Sequence, residues 1–191
     1  MTAAPLRPGL SRRLLLAGLA GTAAAAVVPA WANRAPLPEL AAGLPDARLQ
    51  GSGRLKFLGL PVYDIRLWVS EGFSAQAFAQ RPLAIEIEYA RALSGLRMAE
   101  RSLEEMQRIA PLSAEQRAAW FSGMKRAFPD VSRGDRLTGL YRPGEDTHFF
   151  HNGTLRAQLP DPDFAPAFFA IWLSPKTSEP TLRLALLGGA A

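Results

Sequence analysis

The chain has no cysteine in its 191 residues. That excludes disulfides, thiolate metal ligands and a cysteine nucleophile. A domain of this size builds its core without disulfides, so the absence is compatible with an oxidising compartment. Histidine is nearly absent too, occurring only at His148 and His151. Positions three apart on one strand face opposite ways. A regular strand cannot aim both rings at one metal, and no spacing suggests a Ser–His–acid triad. No metal and no other cofactor is expected. Lysine occurs only at Lys56, Lys125 and Lys176, and no block of like charge appears. The basic footprint of a nucleic-acid-binding protein is therefore missing. Gly51-Ser52-Gly53 leads into a strand pattern rather than a helix, so no phosphate-cradling loop is present.

What the N-terminus does have is a three-part address. Arg12 and Arg13 are paired, an apolar run follows from Leu14 to Val28, and Ala30-Trp31-Ala32 offers a small-x-small cleavage site. This is the physical signature of a signal peptide, here of the twin-arginine type, which exports folded cargo. The apolar run is about 15 residues long, short of the roughly 20 that span a bilayer. Residues 1–32 are thus read as a cleaved signal, and the mature protein is expected in the periplasm with no stable membrane span. Loss of Arg7, Arg12 and Arg13 takes the basic residues from 22 to 19 against 17 acids, a net charge of +2.

Residues 33–46 are rich in Pro and Ala and read as an extended lead-in to a domain over 47–191. Arg54 to Leu58 and Pro61 to Val69 alternate like half-buried strands. In the second run Tyr63, Ile65, Leu67 and Val69 share one face, with Asp64, Arg66 and Trp68 on the other. Leu83 to Tyr89 alternates as well, with Glu86 and Glu88 outward. The period then becomes helical. Ser94 is placed to cap a helix to Ala110 with Leu96, Ala99, Leu103, Met106 and Ile109 on its apolar side. Ser113 and Gln116 form a capping box for a second helix, closed by Phe128-Pro129-Asp130. Strands return over 136–142, 147–152 and 154–159, with Asn152-Gly153 as a two-residue hairpin. Helices at 164–173 and 179–187 close the chain. Strands, two helices, strands, two helices argue an α+β fold: a mostly antiparallel sheet with helices on one face.

Tyr63 and Tyr89 both sit on apolar faces of their strands. A buried tyrosine hydroxyl needs a partner, which the protein, water or a ligand head group can supply. Trp172, Phe168 and Phe169 read as core. Glu100, Arg101, Glu104 and Arg108 form i,i+4 pairs of a solvated helical face.

The run Arg54-Leu-Lys-Phe-Leu-Gly-Leu-Pro-Val-Tyr63 resembles the opening strands of the chalcone isomerase family. A strand ending at Tyr89, the helix from Ser94, Phe128-Pro129-Asp130-Val131, Phe149-Phe150-x-Asn152-Gly153 and Ile171-Trp172-Leu173 follow in the family's order. The ordered set is similar to the bacterial chalcone isomerase-like proteins over roughly residues 45–188. The resemblance implies an open-faced β-sandwich with helices forming a cleft against a long antiparallel sheet. Plant enzymes of the family cyclise chalcones there, and non-catalytic members bind fatty acids through an arginine and a tyrosine. Carried over by motif, the enzymes' strand threonine falls on Leu58, the catalytic tyrosine on Met98, the lysine on Arg101 and the asparagine on Glu105. The cleft arginine falls on Leu55, with Arg54 beside it.

The enzyme pattern is not met, because two placed donors are lost. The sequence therefore implies a non-catalytic module that binds a hydrophobic small molecule, a fatty acid being one candidate. Tyr63, Tyr89 and Arg101 would form the polar end and Met98 the wall. The rival is an isomerase or intramolecular lyase with Arg101 as electrophile and Tyr63 or Tyr89 as acid. No protein partner is indicated. The export address makes a direct prediction. Changing Arg12 and Arg13 together to lysine should keep the protein in the cytoplasm, and N-terminal sequencing of the exported form should begin at Asn33.

Overall fold

A computed structural model of the protein describes residues 1–2 and 37–189. Residues 1–32, read from the sequence as a signal peptide, lie outside the described residues except for Met1 and Thr2. Six strands form one antiparallel sheet in sequence order: β1 (Arg48–Phe57), β2 (Leu60–Val69), β3 (Leu83–Tyr89), β4 (Arg136–Tyr141), β5 (Thr147–His151) and β6 (Thr154–Leu159). Helices α1 (Gly95–Ile109) and α2 (Ala114–Ala127) join β3 to β4, and α3 (Phe164–Leu173) and α4 (Pro180–Leu186) follow β6. The architecture is the expected α+β one. Short 3-10 segments at Pro38–Leu40 and Ala75–Gln80 complete it.

Period-two alternation builds the main core. Ile65, Leu67 and Val69 of β2, Leu83, Ile85 and Ile87 of β3, and Phe149 of β5 point to the helices. There they meet Met106, Trp120 and Met124, together with Phe164, Phe168 and Phe169 of the almost wholly buried α3. Phe149 and Phe168 sit edge to face at 5.3 Å, a favoured aromatic geometry. Two hairpins turn through left-handed pairs, Leu58-Gly59 and Asn152-Gly153, as the strand twist demands. The first places Phe57, Leu58 and Leu60 largely in solvent, Leu58 at 87% exposure.

The second face of the sheet corrects three expectations. Residues 37–46 are not an extended lead-in. They form a 3-10 turn and further turns that bury Leu37, Leu40 and Leu44 against Trp68, Ala84 and Leu140. The leucines cover the apolar side chains that this face would otherwise leave in water. Trp68 and Arg66, read on the second face of a half-buried strand, are 1% and 6% exposed. Glu86, expected to point outward, is fully buried.

A buried carboxylate persists only where donors replace its water. Glu86 accepts from Arg66 Nη1 and from Trp68 Nε1, each at 2.9 Å. Arg66 also reaches Glu88 Oε2 at 3.3 Å. The antiparallel register explains the set, because Arg66 stands opposite Glu86 and Trp68 opposite Ala84. Nearby, Arg136 and Thr138 donate to Glu39 Oε1 at 3.0 and 3.2 Å, fastening the covering segment to β4. Arg66→Ala should cost about 3–5 kcal/mol of stability, the usual effect of breaking a buried pair, measured as a lowered urea midpoint.

Candidate functional site

One end of the main core is left open as a cavity of about 290 Å³. Its floor is the helix side of β2 and β3, where Tyr63 and Tyr89 stand directly opposite each other in the ladder. Their rings meet edge to face, centroids 6.3 Å apart. Leu55 of β1 and Ile87 of β3 extend the floor, and Phe168 and Trp172 of α3 form a wall. The opposite wall is α1, which brings Met98, Arg101 and Glu105 to the cavity at helical spacing.

The seat of α1 decides which of its residues face inward. Gly95 packs so closely on the loop after α2 that an added Cβ would collide with the Phe128 carbonyl oxygen. Asp130 Oδ1 accepts the Gly95 N–H at 2.8 Å. That bond fills the capping role assigned to Ser94, whose side chain makes no cap hydrogen bond. This seat turns Ala99, Glu105 and Met106 inward and leaves Leu96, expected on the apolar stripe, 49% exposed.

All four residues singled out from the sequence, Tyr63, Tyr89, Met98 and Arg101, line this one cavity. Arg54 does not. Its guanidinium makes a two-pronged bond to Asp64, at 2.6 and 2.8 Å, while Leu55 takes the place on the cavity side. The irregularities of β1, between Leu49 and Gly51 and between Leu55 and Lys56, do not bring Arg54 round. Gly51 serves packing instead, since a side chain there would strike the Ala185 carbonyl of α4. Leu58, where the resemblance puts a catalytic threonine, is at the exposed hairpin tip.

Two polar residues were missed. Trp172, assigned to the core, donates its Nε1–H to Tyr63 Oη at 3.1 Å. Glu105, left out of the ion pairs read on this helix, has a side chain only 6% exposed. Its carboxylate accepts from Arg101 Nη2 at 2.5 Å on one oxygen and from Arg108 Nε and Nη2 at 2.9 and 2.8 Å on the other. The i,i+4 pattern did signal ion pairing but not its depth, because depth comes from the seat at Gly95.

His148 and His151 do not converge. His148 lies beside Phe150, and burial, followed by the nearby Arg142, lowers its pKa. His151 lies 3.8 Å from Asp135. Among the described residues no cluster of three or more metal-ligating side chains occurs.

Burial pushes the Tyr63 hydroxyl up to about 12, against the opposing effect of the Trp172 hydrogen bond. Tyr89 is raised as well, by burial first and then by Tyr63. Both are therefore neutral donors at physiological pH, far from the matched pKa that a working acid or base requires. Tyr141, the third tyrosine, is also raised by burial. The folded state holds these protons more tightly than the unfolded chain, so the associated stability is full below pH 10. It should fall as pH climbs from 10 to about 12. In an alkaline titration the native protein should show little phenolate absorbance until it unfolds, whereas the chain in denaturant ionises near pH 10.

A family model described as chalcone isomerase-like matches residues 40–188. No curated protein matches the chain significantly. Among solved structures, a fatty-acid binding protein of Arabidopsis thaliana is similar, with a TM-score of 0.58 and 13% identity. The alignment covers 75% of this chain and 87% of that one. At that identity the likeness speaks for the fold, and it agrees with the strand and helix order found here. The chain belongs to the chalcone isomerase-like family.

Proposed function

We propose that the protein is a non-catalytic binding module that holds a hydrophobic small molecule, an acyl chain in particular, between α1, α3 and the sheet. The observation that carries this is the cavity itself. It is walled mainly by apolar side chains, with two tyrosines on its floor, the usual make-up of a small-ligand site. Its volume of about 290 Å³ is at the lower edge of such sites and suits one slender chain. The fatty-acid binding relative supports an acyl ligand by analogy of fold.

Catalysis is the weaker account. Arg101, the candidate electrophile, is already held by Glu104 and Glu105. The tyrosines are poor acids, and Met98 and Leu58 stand where the resemblance puts the enzymes' donors. The export proposal is supported by residues 11–32 of the sequence, and it places ligand binding in the periplasm.

Native mass spectrometry of the purified protein should show a bound apolar ligand, and the stripped protein should bind Nile red. Met98→Trp fills the space opposite Tyr63 and should weaken Nile red binding about tenfold or more, with the far-ultraviolet dichroism unchanged. Unchanged dye binding in that variant would move the ligand site elsewhere.

A further inference from the structure

We propose that the cavity selects a single-chain amphiphile with an uncharged oxygen head group, an alcohol or ester, over the corresponding carboxylate, and that Glu105 sets this preference. The inference rests on the cavity being the ligand site and concerns what sits at its polar end.

The charged residues lining the cavity are Arg97, Arg101, Glu105 and Glu179, two of each sign. Arg97 pairs with Glu100 at 3.1 Å and is mostly in solvent. Arg101 is the cation nearest to serving a ligand carboxylate, and its guanidinium is occupied. Nη1 lies 3.3 Å from Glu104 and Nη2 lies 2.5 Å from Glu105. A ligand anion reaching Arg101 from inside the cavity would compete with Glu105 for it. Displacement would leave a carboxylate whose side chain is almost completely buried to Arg108 alone, a costly loss. If Glu105 stayed in place, the ligand would bring a further carboxylate beside Glu104 and Glu105, which already share Arg101. Glu179, at the cavity edge, adds to the same negative field.

The donors that remain are neutral. Tyr63 accepts the Trp172 N–H and so keeps its own proton for another acceptor. Tyr89 is 4% exposed and lines the cavity, and its hydroxyl has no protein hydrogen-bond partner among the described residues. Two adjacent phenol donors in an apolar enclosure match a hydroxyl or ester oxygen. Such a group supplies an acceptor without the desolvation penalty of a full charge.

The test compares dodecan-1-ol, methyl dodecanoate and dodecanoate as displacers of Nile red from the purified protein at neutral pH. The alcohol and the ester should bind about tenfold tighter than the carboxylate. Glu105→Gln keeps the side-chain shape and frees the charge of Arg101. It should tighten dodecanoate by about tenfold and change dodecan-1-ol by less than about twofold. Tighter binding of dodecanoate to the unaltered protein overturns the proposal, and that comparison needs no variant to fold. An unchanged preference in a folded Glu105→Gln protein overturns the role of Glu105. Failure of all three compounds and of Nile red to bind overturns the ligand-site assignment itself, a different result from a reversed preference.

Discussion

The distance between α1 and the sheet governs everything at the open end of this domain, and it is set by backbone meeting backbone. Gly95 rests on the Phe128 carbonyl, and Asp130 holds the first N–H of the helix. With the helix pinned there, Met98, Arg101 and Glu105 descend one wall at successive turns. The same contact gives Phe128-Pro129-Asp130 two tasks: it ends α2 and receives α1. A side chain at position 95 would push the helix away and alter the cavity without touching any residue that lines it.

Within the space so defined, burial determines the chemistry. It keeps the tyrosines protonated and leaves them as donors. It makes Glu105 a fixed partner of two arginines rather than one charge among many on a helix surface. The cavity thus combines neutral donors on its floor with a self-compensated ion pair on its wall. A domain on the same fold with an uncompensated arginine in that place would have the opposite appetite.

Much of this was legible in the chain. Strand alternation located β2 and β3 almost to the residue, the Ser113–Gln116 box started α2 where it starts, and Asn152-Gly153 turned its hairpin. The meeting of Tyr63 and Tyr89 followed from both lying on apolar strand faces. What was not legible depended on contacts far apart in sequence. Glu86 looked like an outward residue because alternation says which face a side chain takes, not whether that face is covered. The cover comes from Leu37, Leu40 and Leu44, in a segment whose Pro and Ala content suggested nothing but a tether. Glu105 was passed over for the same reason, since helical spacing gives angles around an axis but not the tilt imposed by Gly95.

The covered second face has a mechanical consequence. A sheet filled on both sides is bound to dense packing above and below, and packed interiors yield little under load. That cover lies under Trp68 and Ala84, at the other end of β2 and β3 from Tyr63 and Tyr89. The exposed turn that carries Ser178 and Glu179 at the rim is tied down by Thr177, whose hydroxyl donates to the Ile171 carbonyl and accepts the Glu179 N–H. The two long strands are thus clamped between layers at one end, and the cavity is built where they run out from that clamp toward the exposed hairpin tip at Leu58.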